Sequence, residues 1–245
     1  MNLHEILVTI KTSKDSEVIR EAEQQFIEMK SLEPSDQFLL AMINEIVTDK
    51  NEVGEYASVL LFKDIQRSGD DGLLHRLSNF QTGHAMFSQL LQYCASNPNL
   101  KLVQVISEYA IYAIKNNQDF DCVFEFVQQG FHSPNIEIVR MTAYLTSELC
   151  KASVSTIQQF KMNILEFLTS CLAHEDDETA SYGISALISV IQNNQGDEEL
   201  IPAEVEQQMI DAIPAKLISM QNENIILKGL KRIMRLLSLS HYQWE

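Results

Sequence analysis

Glycine and proline are scarce in this sequence, 8 and 5 among 245 residues. A β-sandwich or barrel needs turns rich in these residues every 8–12 positions or so, so their scarcity argues against both folds and favours long helices. Basic residues are outnumbered, 18 Lys and Arg against 34 Asp and Glu, which leaves a formal charge of −16. A surface this acidic repels nucleic-acid phosphates and anionic membranes within the screening length, and attracts basic proteins or peptides. The same charge also serves to keep a large surface in solution. Cysteine is limited to Cys94, Cys122, Cys150 and Cys171, and the gaps between them exclude a metal knuckle or a C-x-x-C redox motif. Each lies in an apolar stretch, where a buried free thiol in a reducing compartment is the expectation. There is no N-x-S/T acceptor, no signal peptide and no apolar run long enough to span a bilayer, so a soluble, intracellular chain is expected.

Catalytic signatures are missing as well. Phosphate-cradling G-x-x-x-x-G-K-[ST] and G-x-G-x-x-G are absent, as is the G-x-S-x-G nucleophile elbow. His4, His75, His84, His132, His174 and His241 never fall in H-E-x-x-H or another paired ligand spacing. The run His174-Glu175-Asp176-Asp177-Glu178 contains metal-ligand residue types. Acidic residues at a helix start complement the dipole and cap free N–H groups, and that is the reading given to them. Asp70 and Asp71, beside Gly69 and Gly72, are similar to a calcium loop but lack its alternating ligands and terminal Glu. No catalytic residue, cofactor or metal is expected.

What the chain does contain is apolar periodicity. Leu3, Ile6, Leu7 and Ile10 follow the i, i+3, i+4, i+7 rule, and Val18, Ile19, Ala22, Phe26 and Met29 resume it after a break at Ser13–Ser16. Pro34-Ser35-Asp36 opens a third stripe, Phe38, Leu39, Met42, Ile43 and Ile46, which Asp49–Asn51 ends. Tyr56 to Ile65 forms a fourth, and Ser68–Gly72 is the clearest loop. Further helices are predicted at about 79–95, 98–115, 119–131, 134–150, 154–173, 176–194, 201–221 and 223–240, with Pro98 and Pro134 at first helical positions. Phe26, Phe38, Phe87, Tyr109, Phe124, Phe126 and Phe167 sit at core-type spacing.

Twelve helices pair into six hairpins whose second helices start near 15, 51, 98, 134, 176 and 223. Intervals of roughly 36 to 47 residues suit HEAT and armadillo arrays rather than ankyrin or TPR repeats. The expectation is therefore all-α: an α-α superhelix, or α-solenoid, of about six HEAT-type hairpins, with 1–245 as a single array. The rival is an irregular helical bundle. In an array the second helices line the inner wall, and their polar residues outside the apolar stripes form the default binding surface. These include Glu17, Glu21 and Gln24 on the first inner helix and Glu55, Lys63 and Asp64 on the second. Lys228, Lys231, Arg232 and Arg235 form a basic cluster on the last helix, read as a solvated face or as contacts to a further repeat. That helix keeps a broad apolar face where a terminal repeat should be polar, which suggests a longer array or association through that end.

Two stretches carry a family resemblance. Val18-Ile19-Arg20-Glu21-Ala22-Glu23-Gln24-Gln25-Phe26 resembles the Arg-x-Ala-Glu-x-x-Leu/Phe signature of the first repeat in importin-β (karyopherin-β) transport receptors. Tyr56-Ala57-Ser58-Val59-Leu60-Leu61-Phe62-Lys63-Asp64-Ile65 resembles their second-repeat Ala-Ala-x-Leu-Leu-Lys-Asn-x-Ile helix, with Asp64 in place of Asn. Asn117-Gln118-Asp119-Phe120 is similar to the family's Asn-x-Trp-Pro, without the proline, and Ile138 to Ala143 fits an arginine before a small residue on an inner helix. The spacing is closest to the importin-five branch, with specific motifs at about 1–70 and the order of pairs matching throughout.

The resemblance implies a segment of a nucleocytoplasmic transport receptor, part of a longer solenoid and shuttling between cytoplasm and nucleus. It would bind the GTP form of the small GTPase Ran and basic protein cargo, with no direct nucleic-acid or membrane contact. Glu21 and Glu23 of the first motif and Lys63 and Asp64 of the second are the positions it assigns to Ran, beside Glu17, Gln24 and Glu55 on the same helices. A monomer is expected, or a dimer through the C-terminal end. The alternatives are a HEAT scaffold unrelated to Ran, such as an adaptor or regulatory subunit, and a nucleic-acid binder using the basic helix.

Overall fold

The computed structural model describes residues 1–32, 35–48, 52–66, 72–77, 79–118, 120–152, 161–193 and 202–239. Among the described residues there are twelve α-helices, one 3-10 turn (Leu74–Arg76) and no strand. The helices are α1 (Leu3–Thr12), α2 (Ser16–Leu32), α3 (Ser35–Thr48), α4 (Glu52–Ile65), α5 (Phe80–Ser96) and α6 (Leu100–Lys115). Then follow α7 (Asp121–Phe131), α8 (Ile136–Ala152), α9 (Lys161–Ala173), α10 (Asp177–Asn193), α11 (Ala203–Ser219) and α12 (Glu223–Leu239). Pro34, the break at 49–51, residues 68–71 with Asp70 and Asp71, Asp119 and His241 lie outside the described residues, as do residues 154–160 of the ninth predicted helix.

Short polar side chains start the second helix of nearly every pair. Asp15 Oδ1 accepts from Glu17 N at 2.9 Å, Asn99 from Lys101 N at 2.9 Å, Asn135 from Glu137 N at 3.0 Å and Asn222 from Asn224 N at 3.1 Å. Asp176 Oδ2 accepts from Thr179 N at 2.9 Å. Each supplies an acceptor for backbone N–H groups that have no partner inside the helix. Pro98 and Pro134 therefore precede the caps Asn99 and Asn135 rather than occupying first helical positions. Their rings pre-set the chain one residue before the cap.

The chain divides into two compact units, Met1–Val123 and Phe124–Glu245, with the boundary inside α7. In the N-terminal unit α1 packs on α2, α3 on α4 and α5 on α6, while α3 also meets α1 and α5, and α4 meets α6. Its core holds Ile6, Leu7, Phe38, Leu39, Met42 and Leu61 at 1% exposure or less, and Phe26 meets Phe38 edge-on at 5.7 Å. In the C-terminal unit α9 packs on α10 and α11 on α12, α8 and α12 both lie on α10, and α9 meets α11. Gly130 of α7 backs onto Thr142 of α8, where an added Cβ would fall 2.3 Å from Oγ1. Second helices thus stack on second helices at α4–α6, α8–α10 and α10–α12, and first helices on first helices in both units, while at the start of the chain α1 also meets α4 and α2 meets α3. That two-row arrangement is the one a helix-pair array requires, because each pair buries its apolar stripes only against its neighbours.

Of the seven aromatic residues assigned to the core, six are buried and Phe124 is half-buried. Cys94, Cys150 and Cys171 are buried free thiols, with burial pushing each up to about 12. Cys122 is half-buried, its Sγ 3.2 Å from Ser88 Oγ.

Candidate protein-binding surface

The orientation of α2 and α4 decides which predicted residues work together. Lys30 of α2 forms an ion pair with Asp64 of α4, both largely buried. Burial and the nearby Glu23 carboxylate push the Tyr56 hydroxyl above its usual pKa, which places Glu23 on the same α4-facing side as Lys30. Glu17, Glu21, Gln24 and Glu28 follow at i, i+4, i+7 and i+11 along a different stripe, closed by a 2.9 Å bond from Gln24 to Glu28. At 3.6 residues per turn that stripe is about 150° around the helix from Lys30.

The seven predicted contact residues therefore do not form one surface. Glu17, Glu21 and Gln24 are exposed on the side of α2 turned from α4, whereas Glu23 is exposed on the side that meets it. On α4, Glu55 and Lys63 are exposed and share a stripe with Glu52, Val59 and Gln66. Asp64 is only 6% exposed. Its carboxylate is engaged by Lys30, so it ties two repeats together instead of facing a partner. A buried carboxylate needs such a cation, since losing water without one is costly.

The exposed surface extends onto a helix that the sequence reading did not use. Lys101 and Lys115 are exposed and Gln104, Glu108 and Ile111 half-buried along one stripe of α6, and Gln66 Nε2 donates to Glu108 Oε1 at 3.2 Å across the gap from α4. In the N-terminal unit the second helices thus present Glu23, then Glu55 and Lys63, then the half-buried Glu108 beside Lys101 and Lys115, with apolar residues between them. Taking the polar residues outside the apolar stripe, as was done for α2 and α4, would have found the α6 residues had it been carried one repeat further.

The C-terminal unit has its own version. Glu137, Arg140, Tyr144, Glu148 and Lys151 follow one stripe of α8, and Tyr144 meets Tyr182 of α10 edge-on at 5.3 Å. Arg140 donates to Asp176 through Nε at 3.0 Å and Nη2 at 2.6 Å, and to Glu137 at 2.8 Å. The fork of guanidinium donors, with the Thr179 backbone and hydroxyl bonds, holds the Asp176 carboxyl well below the usual carboxylate range. Asp177 accepts from the backbone N–H groups of Gln221 and Asn222 at 3.0 and 2.8 Å. The acidic run at 174–178 therefore caps α10 and ties it to neighbouring repeats. Of the basic cluster on α12, Lys228 and Lys231 are exposed and Arg232 is half-buried, close enough to Tyr182 to influence its hydroxyl. The side chain of Arg235 lies outside the described ones.

No protein-family model matches the sequence, and no curated protein matches it either. The structure is similar to solved engineered and designed proteins. One is an engineered protein with a TM-score of 0.56 and 19% identity, covering 98% of this chain and 100% of that one. A designed armadillo repeat protein in complex with the peptide (KR)4 also gives a TM-score of 0.56, at 15% identity over 96% of this chain and 99% of its own. A second designed armadillo repeat protein gives 0.50, at 15% identity over 96% and 100%. Identities this low carry the fold and nothing finer. The chain has an all-helical repeat-solenoid fold of the armadillo and HEAT kind.

Proposed function

We propose that the protein is a binding scaffold, not a catalyst, and that its first repeats receive the GTP form of the small GTPase Ran. The observation that carries this reading is the pairing of the two motif-bearing helices. Lys30 and Asp64 hold α2 against α4, and Glu23, Glu55 and Lys63 remain exposed beside that junction. The resemblance of these helices to the first two repeats of importin-β receptors supplies the identity of the partner. Basic protein cargo is the second partner proposed. It is supported by the charge of −16 and by the basic (KR)4 peptide bound to a designed protein of similar fold. A receptor of this kind would shuttle between cytoplasm and nucleus.

The contact set is narrower than the sequence suggested. Glu23, Glu55 and Lys63 stay in it, joined by Glu108 of α6; Asp64 serves the junction. Calorimetric titration with GTP-loaded and GDP-loaded Ran tests the proposal. Binding that favours the GTP form and weakens in Lys63→Glu supports it, whereas no binding at tens of micromolar removes Ran. A HEAT scaffold for an unrelated protein is the second reading, and it shows no preference between the two nucleotide states.

A further inference from the structure

We infer that the uncovered side of α12 docks an acidic amphipathic helix of a partner protein. Leu227, Leu230 and Met234 are 54%, 48% and 69% exposed and recur at i, i+3 and i+7, so they form one apolar line on α12. Among the described residues no other helix carries three exposed large apolar side chains on one stripe. Lys231 and Lys228, both exposed, stand about 40° and 100° around the helix from Leu227, on the side away from Leu230. Arg232, half-buried, continues that basic side toward Tyr182 of α10, whose hydroxyl it influences. The exposed arc of α12 is thus apolar along one edge and basic along the other.

Charge and spacing select the occupant. In a chain with a formal charge of −16, α12 holds Lys228, Lys231, Arg232 and Arg235 against one acid, Glu223, at its first turn. A partner that sets carboxylates against the lysines gains attraction, whereas a basic segment, or a second α12, is repelled. A line at i, i+3 and i+7 is what one helix covers when laid along another, and an extended segment would find no open strand edge to pair with. Helix on helix is also how this unit builds its own row, since α10 meets both α8 and α12. One helix laid on another buries less than the roughly 1,200 Å² at which stable complexes begin, so the contact is weak and reversible. The surface belongs to α12 and does not depend on the Ran reading, which concerns α2, α4 and α6.

The probe is a labelled helical peptide with leucine at i, i+3, i+4 and i+7, glutamate beside that stripe and alanine elsewhere. Fluorescence anisotropy follows its titration with the full chain. One control peptide carries lysine in place of glutamate, and another scrambles the leucines off the stripe. The expected dissociation constant is on the order of 100 µM at about 0.15 M salt. Lys228→Glu with Lys231→Glu should weaken it about tenfold and allow the lysine peptide to bind instead. Leu227→Gln with Leu230→Gln should weaken both peptides, and glutamine keeps a good helix former at each position. All four positions are exposed, so circular dichroism should match that of the parent. Four outcomes overturn the inference: no binding of the acidic peptide by the parent near millimolar chain, a lysine or scrambled peptide that binds the parent as well, or variants that bind as the parent does. The fourth is co-sedimentation of the parent, but not of the lysine variant, with phosphatidylserine vesicles, which would make the surface a lipid-binding face.

Discussion

Between α5 and α6 the contact is made by rings, whereas between α9 and α10 it is made by small side chains. In the N-terminal unit Phe87 stacks on Tyr109 with centroids 4.0 Å apart, and Phe120 meets the same tyrosine edge-on at 5.1 Å. The Tyr109 hydroxyl donates to the Phe80 carbonyl at 3.2 Å and bonds His84 Nδ1, so its polar tip is satisfied inside the core. In the C-terminal unit α10 is covered on several sides, with Thr179, Ala180, Gly183, Ser185, Ala186 and Ser189 all buried. Small residues let α8, α9 and α12 approach α10 at once, and the larger Leu187, Val190 and Ile191 fill the remaining volume. One backbone plan thus tolerates two kinds of interior. A HEAT-like array needs only that each pair present a filled stripe to its neighbours, which is why sequence identity between such proteins falls so low while the fold persists.

The comparison breaks most visibly where a ring is removed. Phe87→Ala should cost about 3–5 kcal/mol in urea unfolding, and Leu187→Ala in the other unit about 2–5 kcal/mol, with the ring the more costly of the two. Hydrogen exchange should rise in α5 and α6 for the first and in α9 and α10 for the second. Equal costs would mean that ring stacking adds nothing to the N-terminal interior. The small-residue design is probed in the opposite direction. A Cβ on Gly183 would sit 2.7 Å from Cys171 Cβ, a position close to the backbone that has little room to move. Gly183→Ala should therefore destabilise by about 2 kcal/mol, despite the helix propensity that alanine gains.

The ties between repeats differ too. Lys30–Asp64 joins helices in the N-terminal unit, and Arg140–Asp176 joins α8 to the start of α10 in the C-terminal unit. Arg140→Ala should cost about 2 kcal/mol near neutral pH, as expected for lost charge-assisted hydrogen bonds. The Asp176 carboxyl is depressed in the folded chain, so its contribution is complete above the ordinary carboxylate range near pH 4. It declines as pH falls from there toward the folded value. The gap in stability between parent and Arg140→Ala should therefore narrow below about pH 4. A gap that stays constant with pH would show that the arginine acts by packing its stem rather than by its charge.

Much of the fold was legible because helix faces leave a local imprint. All five residues of the Phe38 to Ile46 stripe are buried, and the break at Ser13 is where α1 ends. The pattern also carried the eleventh helix straight through Pro214, which the structure keeps inside α11. The site was less legible, for a physical reason. How far a helix is rotated about its own axis depends on which partner it meets, and that partner lies far away in sequence. Asp64 reads as a surface acid until Lys30, 34 residues earlier, is placed against it. Glu21 and Glu23 read as neighbours, yet two residues on a helix are 200° apart, and only Glu23 faces α4.

The smallest effect concerns what the two units share. Asn99 starts α6 in one unit and Asn135 starts α8 in the other, each just after a proline, Pro98 or Pro134. Asn99 Oδ1 accepts from Lys101 N at 2.9 Å and from Leu102 N at 3.4 Å, and Asn135 Oδ1 from Glu137 N at 3.0 Å. Replacing either asparagine by alanine removes an acceptor from a helix N-terminus and should cost about 1 kcal/mol at both sites, while aspartate should restore the loss. If the interiors alone set the stability of their units, the two costs must match even though Phe87→Ala and Gly183→Ala act through different physics. Unequal costs, measured as shifts in the urea midpoint at constant slope, would show that the caps are coupled to the interiors they open.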